Sequence, residues 1–293
     1  MKIGCVRYEG DTRIAIPVAE DAVAIVGRSG DGCPNQVAEI ISDWPGASFR
    51  FREALVHAPV ISMDKADWLP PVTTRSRITT VTFDGMADQA AAATIAIKAR
   101  SSLIGHRQTV RIKRIFGAVF SRPALAVVIG SSALTSSSAE KQPLSIFGYT
   151  AMNDITAPGL RRAGRANDFL GYIPKVSADV DMLAMYNGTD TFGPLGPFIV
   201  LPDENFEPDD STVSCTTAGH TYARWSVAKL PHSIPDMLTA ISDFIRLDPG
   251  DVVAFAFETN AKNTDAVADL AELAEVAVDI SGVCSLQNPI ERC

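Results

Sequence analysis

The order of apolar and polar positions along the chain predicts a protein built mainly from β-strands. Near the start, MKIGCVRYEG and TRIAIPVAEDAVAIV predict two short strands. Further along, strands joined by turns are predicted for LAVVIG, IFGYTAMND, LGPFIVL, STVSCTTAGHTYARWSV and GDVVAFAF. The unbroken run of small and branched residues from Leu125 to Ile129 is typical of a strand buried on both faces.

Four other segments predict helices. Amphipathic spacing favours short helices at about residues 35–41 and 48–56. The alanine-rich segment ADQAAAATIAIKARSS predicts a helix because alanine has the highest helix propensity. In SIPDMLTAISDFIRL, Pro235 lies in the first turn, and the next proline and glycine follow just beyond the predicted end.

A proline-containing segment, WLPPVTTRS, separates a short leading region from the rest and predicts a linker. We therefore expect a small N-terminal domain over residues 1–70 and a larger domain over residues 75–293. A chain of 293 residues is long enough for this arrangement.

Composition and charge narrow the function classes. The chain is 46% hydrophobic and carries a formal net charge of -8, which argues against a nucleic-acid partner because phosphate binding needs clustered lysine and arginine. In the one basic run, Arg111 and Lys113 alternate with Val110 and Ile112, which predicts a strand with one wet face.

Membrane and redox signals are lacking in the sequence. No apolar run approaches the ~18 residues of a membrane-spanning helix, and the N-terminus lacks the apolar centre of a signal peptide. We therefore expect a cytoplasmic protein without a membrane partner. The five cysteines are odd in number and include no C-x-x-C pair, so they predict thiols rather than a disulfide framework or a zinc site.

Six motifs carry a family resemblance: SSLIGH, LAVVIG, FGYTAMNDITA, DTFGPLGPFIV, LDPGDVV and SGVCSLQN. In order and approximate spacing, residues 75–293 resemble the fumarylacetoacetate hydrolase family. The resemblance implies an α+β fold in which mixed sheets roll around a deep pocket, behind a small N-terminal domain, usually in a homodimer. It also implies a small-molecule substrate, a 2-oxo acid or β-diketone, generally processed with magnesium or manganese.

The resemblance also shows where this chain departs from the family. The two glutamates of the family's Glu-x-Glu metal pair fall on Arg122 and Ala124, and the third ligand is retained as Asp154. A hard divalent cation prefers several carboxylate oxygens, so one carboxylate of three is a poor magnesium site. We therefore expect no bound metal and no other cofactor.

The family's water-activating pair is replaced as well. Its histidine and glutamate fall on Gln89 and Ala92, neither of which is a general base. A family lysine falls on Asn187, and the arginine and glutamine of the substrate segment fall on Pro158 and Arg161. The turn that holds a substrate carboxylate has become FETNAK. Lyase, decarboxylase, isomerase or cyclase chemistry is therefore expected in preference to hydrolysis.

Two hypotheses follow. In the first, the pocket performs metal-free chemistry: Arg122 stabilises an enolate or carboxylate, Arg161 binds a substrate carboxylate, and Asp154 orients Arg122 or acts as base. In the second, the chain is a catalytically inactive relative with a binding or structural role, and Arg122 and Asp154 form only a structural ion pair. The gain of arginines where carboxylates are lost favours the first.

Two of the candidate residues also have a second interpretation. The candidate catalytic residues are Asp154, Arg122 and Arg161, and the candidate substrate-binding residues are Gln89, Tyr149, Asn153, Asn187 and His220. Arg122 has the alternative of extending to solvent beside Pro123, and Asp154 that of capping a turn. Cys215 has no visible activating partner and is expected to be a buried thiol.

Overall fold

Seventeen strands and three α-helices lie in the part of the chain that the computed structural model describes, which is residues 1–28, 32–73, 75–84, 92–131, 144–158, 187–202, 206–258 and 269–293. The strands are β1 (Lys2–Tyr8), β2 (Asp11–Ala19), β3 (Ala22–Val26), β4 (Val60–Ser62), β5 (Asp67–Leu69), β6 (Ile78–Asp84), β7 (Ala92–Lys98), β8 (Leu103–Ile104), β9 (Val110–Ile112), β10 (Pro123–Ser131), β11 (Ser145–Asn153), β12 (Gly193–Val200), β13 (Thr212–Thr217), β14 (His220–Ser226), β15 (Val252–Phe257), β16 (Glu275–Ile280) and β17 (Cys284–Arg292). The helices are α1 (Val37–Ser42), α2 (Trp44–Ala54) and α3 (Ile234–Ser242).

Two mixed sheets carry the structure. The larger has 12 strands in the order β4-β3-β2-β1-β12-β11-β10-β15-β6-β7, with β5 beside β1 and β8 beside β12. The smaller has 5 strands in the order β14-β13-β16-β17-β9. This sheet-dominated α+β architecture confirms the predicted fold class.

The larger sheet curls back on itself between β12 and β7. Six strand spacings separate β7 from β8 through β6, β15, β10, β11 and β12, which is about 29 Å in a flat sheet. The chain from Lys98 to Leu103 spans at most about 17 Å when extended. Because β8 nevertheless pairs with β12, the intervening strands form a roll.

Strand β10 lies at the centre of this roll, between β11 and β15, and is buried on both faces as predicted. Ala124, Ala126 and Val128 pack into one apolar core, which also contains residues of α1 and α2. The alternate residues Leu125 and Val127 pack into a second core, together with residues of α3. The period-2 geometry of a strand explains this division.

The predicted helix over the alanine-rich segment is wrong where the structure describes it. Residues 92–98 form β7, which pairs antiparallel with β6 from Ala92 opposite Asp84 to Lys98 opposite Ile78. Residues 85–91 lie outside the described ranges. Helix propensity is a weak preference, and hydrogen bonding to a neighbouring strand overrides it here.

The leading region also differs from its prediction. It contains three strands before the first helix rather than two, and α1 and α2 begin at residues 37 and 44. The predicted linker is wrong at its start, because Trp68 lies in β5 and is fully buried. Since β1 pairs with β12, strands of the leading region continue the larger sheet; the domain division near residue 70 stays a prediction.

Other expectations agree with the structure. In β9, Val110 and Ile112 are buried while Arg111 is exposed, as the alternation predicts. The five cysteines, all within the described ranges, form no disulfide. Among the helices that the structure describes, none has the length and apolar character needed to cross a bilayer.

Candidate functional site

The register of β10 against β11 brings Arg122 to Asp154. Pro123 lies opposite Asn153, so one step further places Arg122 opposite Asp154. The Asp154 backbone N–H donates to the Arg122 carbonyl oxygen over 3.0 Å. The side chains meet too, with Arg122 Nη2 lying 2.9 Å from Asp154 Oδ2.

On its other side, β10 pairs with β15 and brings Arg122 to a second carboxylate. Ala124 lies opposite Ala256, and the same register extended by two residues places Arg122 opposite Glu258. Arg122 Nη1 donates to Glu258 Oε2 over 3.3 Å. Arg122 therefore lies between carboxylates from two neighbouring strand ends.

Arg122 is buried and points inward. Its Nε donates to the Asp154 carbonyl oxygen over 3.3 Å, and its Nη2 donates to Asn187 Oδ1 over 2.9 Å. With 6% of the residue exposed, the alternative in which Arg122 extends to solvent is wrong.

A lysine that the sequence analysis did not single out completes the cluster. Lys98 Nζ donates to Asp154 Oδ1 over 2.6 Å, to the Asn187 carbonyl over 2.7 Å and to the Ile155 carbonyl over 3.1 Å. An ammonium group has three N–H donors, so Lys98 uses all of them within the protein. The sequence did not point to Lys98 for two reasons. A helix was predicted there, and the contact of Lys98 with Asp154 depends on closure of the roll.

Burial and neighbouring charges set the protonation states of Asp154 and Lys98. Burial of Asp154 favours its neutral acid, but the charges of Arg122 and then Lys98 outweigh burial and hold the Asp154 pKa below its usual value. Burial lowers the pKa of Lys98, although the Asp154 carboxylate favours its charged form. Asp154 is thus an anion held between two cations, and such a carboxylate is a weak base.

The contact between Arg122 and Asp154 Oδ2 is an ion pair rather than an aligned hydrogen bond. No donor among the described residues meets hydrogen-bond geometry at Oδ2, even though Arg122 Nη2 lies within 2.9 Å. Nη2 instead directs a hydrogen bond to Asn187 Oδ1. We refer to Lys98, Arg122, Asp154 and Glu258 together as the charged cluster.

The charged cluster does not fit a divalent metal ion. Lys98 and Arg122 face the two carboxylate oxygens of Asp154, and Ala124 is completely buried in an apolar core. Within the described ranges, no group of three histidine, cysteine, aspartate or glutamate side chains has a metal-binding arrangement. Of the three ligands implied by the resemblance, only Asp154 is therefore present, and it is paired with cations.

Asn187 belongs to the charged cluster as a hydrogen-bond acceptor. Its Oδ1 accepts from Arg122 Nη2 over 2.9 Å and from Thr156 Oγ1 over 3.0 Å, and its carbonyl accepts from Lys98. The residue is buried. Its geometry positions Arg122, whereas direct contact of Asn187 with substrate stays a prediction.

Asn153 is engaged in a separate buried network. Its Oδ1 accepts from Ser121 Oγ over 2.7 Å, and Cys215 Sγ donates to the same hydroxyl over 3.3 Å. Burial raises the pKa of the Cys215 thiol to about 11, as expected for an inert thiol. Asn153 Nδ2 is buried and has no hydrogen-bond partner among the described residues.

The remaining candidates do not join the charged cluster in the described structure. Tyr149 packs against Phe206 in the core, where burial raises its pKa to about 12, and it precedes Asp154 by five residues, or about 17 Å of strand. His220 is exposed at the start of β14. Gln89 and Arg161 lie outside the described residues.

Comparison with known proteins identifies the family. The family model for the fumarylacetoacetate hydrolase C-terminal domain matches residues 79–291. The chain belongs to the fumarylacetoacetate hydrolase family. The match begins in β6 and ends in β17, so it includes all four residues of the charged cluster.

Relatives and solved structures support this assignment. An uncharacterized protein of Pyrococcus abyssi is 31% identical over 160 residues, which cover 55% of this chain and 65% of that relative. The oxaloacetate tautomerase YisK of Bacillus subtilis is 32% identical over 130 residues, covering 44% of this chain and 38% of that relative. The matches thus span less than two thirds of these relatives.

A solved structure shows the same fold over the full chain. Maleylpyruvate hydrolase from Sphingobium sp. SYK-6, in complex with a manganese(II) ion and pyruvate, superposes with a TM-score of 0.74 and 19% identity, covering 100% of this chain and 99% of that one. At this identity the likeness concerns the fold. The hydrolase fold is therefore present here together with a charged cluster that lacks the family's paired glutamates.

Proposed function

We propose that this chain is a metal-independent fumarylacetoacetate hydrolase-family enzyme that acts on a small oxo acid or 1,3-dicarbonyl compound. The observation that carries the proposal is the buried Arg122 guanidinium, held beside Asp154 at a position where the family resemblance puts a metal-binding glutamate. A guanidinium stays charged at physiological pH and donates paired hydrogen bonds to a carboxylate or enolate. It thus supplies part of the electrostatic stabilisation that a divalent ion gives in metal-dependent catalysis.

The proposed reaction class follows from the groups that are present. Isomerisation, decarboxylation, carbon–carbon cleavage and cyclisation of such substrates all pass through an enolate, whose negative oxygen needs a cationic partner. The positions of the family's water-activating pair hold Gln89 and Ala92, which disfavours hydrolysis. The tautomerase activity named for the Bacillus subtilis relative is chemistry of this enolate class.

Arg161, which lies outside the described residues, keeps its proposed role of binding a substrate carboxylate. The homodimer and the cytoplasmic location also stay predictions. Light scattering of the purified protein measures its oligomeric state directly, and a monomer at micromolar concentration contradicts the proposed homodimer.

A second candidate function is a non-catalytic family member. The observation that favours it is the saturation of Lys98, whose three N–H groups all bind protein acceptors. An ammonium group whose three N–H donors are all used within the protein needs no ligand. In this alternative the charged cluster only stabilises the roll, and the protein acts as a binding or structural partner.

Binding of oxalate distinguishes the two functions. Oxalate is a planar dicarboxylate that resembles the enolate of a 2-oxo acid, and titration calorimetry measures its affinity in EDTA and, separately, with added manganese. We expect the wild type to bind oxalate in EDTA and Arg122→Gln to weaken binding about tenfold or more, because a hydrogen-bonded ion pair is lost. The exposed Arg111→Gln is the matched control and is expected to bind as the wild type does.

A second variant, Arg122→Lys, separates loss of oxalate binding from loss of folding. Arg122→Lys keeps the charge but loses the planar fork, so it is expected to fold and to bind oxalate more weakly than the wild type. Binding that requires manganese contradicts the metal-independent proposal. No binding by the wild type under either condition supports the non-catalytic alternative.

A further inference from the structure

We propose that Glu258 is the general base that removes a proton from the substrate's α-carbon, meaning the carbon next to the keto group. This inference rests on the proposed function, because it requires an oxo acid to bind at Arg122. It assigns the proton transfer to a residue that the sequence analysis did not consider. The candidate base in that analysis, Asp154, is enclosed by two cations.

Solvent access separates the two carboxylates. The side chains of Lys98, Asp154 and Arg122 are 1%, 1% and 7% exposed, whereas that of Glu258 is 28% exposed. The charged cluster therefore faces solvent at Glu258. A substrate that approaches from solvent meets this carboxylate, which accepts a hydrogen bond from Arg122 Nη1.

The backbone around Glu258 is fixed by the sheet. Its N–H donates to the Phe83 carbonyl over 2.8 Å, which ties the end of β15 to β6. The preceding residue, Phe257, packs with ring centroids 5.6 Å from Phe83 and 5.2 Å from Trp225. Because alternate residues of a strand face opposite sides, this anchoring directs Glu258 away from the aromatic side and toward Arg122.

The distance to Arg122 suits an enolisation. Glu258 Oε2 lies 3.3 Å from Arg122 Nη1, so a carbonyl oxygen bound at Nη1 has its α-carbon within reach of the carboxylate. The α C–H proton passes to a Glu258 oxygen, and the electron pair of that bond becomes the carbon–carbon double bond of the enolate. The carbonyl oxygen takes the negative charge beside Arg122. Return of the proton to another carbon or to the oxygen completes the tautomerisation without any other reactant.

The charge balance of the cluster also favours this transfer. Lys98 and Arg122 are cations, and Asp154 and Glu258 are anions, so the formal charge of the cluster is zero. When Glu258 accepts the proton, one negative charge moves from its carboxylate to the enolate oxygen, and both sites adjoin Arg122. Within the cluster, the step therefore moves a negative charge rather than adding one, and an added unpaired charge would be costly in a largely buried environment.

Deuterium exchange tests the assignment. Proton NMR in D₂O with EDTA follows the loss of the C3 protons of 2-oxobutyrate, with 2-oxoglutarate as a second substrate. We expect wild-type protein to catalyse exchange and Glu258→Gln to slow it by roughly 10²–10⁴-fold. Oxalate affinity of Glu258→Gln should stay within about threefold or increase, since the amide no longer repels an anion. Glu258→Asp should restore part of the rate, and the exposed Glu291→Gln should exchange normally.

The outcomes separate the base assignment from the proposed function. Exchange by Glu258→Gln near the wild-type rate, or wild-type oxalate binding without exchange of either substrate, overturns the role of Glu258 and leaves the binding site in place. Failure of the wild type to bind oxalate overturns the proposed function itself.

Discussion

Lys98 Nζ and Asp154 Oδ1 lie 2.6 Å apart in the folded chain, and both side chains are 1% exposed. The two residues come from β7 and from the end of β11, which approach each other only because the larger sheet rolls up. A buried pair of this kind stabilises the fold only while both partners are present, since each charge alone is costly to bury.

Lys98→Met is therefore expected to lower the free energy of unfolding by about 3–5 kcal/mol. The substitution removes the cation and leaves Asp154 with Arg122 alone. Urea denaturation followed by circular dichroism measures the change. Lys113→Met, at an exposed lysine, is the control and should change stability by less than about 0.5 kcal/mol. A loss below about 1 kcal/mol for Lys98→Met contradicts a structural role for the pair.

The pKa of Asp154 predicts how this stabilisation depends on pH. Because the folded pKa lies below the usual value near 3.8, the ionised carboxylate stabilises the fold above pH 3.8, and the contribution is lost as pH falls through the folded pKa. Asp154→Asn removes the charge at every pH. The stability difference between wild type and this variant, from urea denaturation between about pH 2 and pH 6, should therefore be largest above pH 4 and shrink in acid. A difference that is constant with pH would refute the ionised state of Asp154.

The sequence predicted the centre of the roll well. Five consecutive apolar residues in β10 indicated a strand buried on both faces, and the structure has one. Family motifs indicated the fold class and placed Arg122 and Asp154 near each other, and their side chains lie 2.9 Å apart. Local pattern was sufficient for the buried strand, and the family resemblance for the pair, because these contacts join neighbouring strands.

Lys98 and Glu258 were beyond the reach of the sequence for physical reasons. Alanine-rich composition favoured a helix where pairing with β6 imposes a strand, and the contact of Lys98 depends on closure of the sheet. Glu258 meets Arg122 through the register of β10 against β15, and strand register across 136 residues of chain is set by tertiary packing.

His106, a buried histidine outside the charged cluster, predicts a second dependence of stability on pH. Burial and then the charge of Arg107 lower its pKa from 6.5 to about 4, and its Nδ1 accepts a hydrogen bond from the Gln287 N–H over 3.1 Å. The folded state therefore holds His106 neutral. Neutral His106 makes its full contribution to the free energy of unfolding above pH 6.5. This contribution, roughly 3 kcal/mol in total, is lost as pH falls to about 4.

Substitution of His106 isolates that contribution. His106→Gln should flatten the dependence of the free energy of unfolding on pH between pH 6.5 and pH 4. Urea denaturation at half-unit pH intervals resolves the slopes. Equal slopes in wild type and His106→Gln would contradict a neutral, buried His106.

Thiol reactivity should follow burial. Cys5 and Cys215 are buried, and burial raises their pKa values to about 12 and about 11, whereas Cys293 is exposed. Because the thiolate is the reactive form, iodoacetamide at pH 8 should modify Cys293 first and reach Cys5 and Cys215 only after unfolding. Peptide mass spectrometry reads out each site. Rapid labelling of Cys215 in the native protein would contradict its assignment as an inert thiol.

Asn187 tests the charge balance of the charged cluster from a neutral position. Its Oδ1 accepts from Arg122 and Thr156, so Asn187→Ala leaves two buried donors unsatisfied and should cost roughly 2–5 kcal/mol of stability.

Asn187→Lys introduces the residue type that the family has at this position. In this chain the new ammonium would lie beside Arg122 and near Lys98, where Asp154 already balances two cations. We therefore expect Asn187→Lys to be less stable than Asn187→Ala in urea denaturation at pH 7, and added salt to narrow the gap only slightly because the site is buried. An Asn187→Lys protein as stable as the wild type would mean that the charged cluster tolerates a third cation. That result would contradict the argument that two carboxylates, Asp154 and Glu258, balance two cations in the cluster.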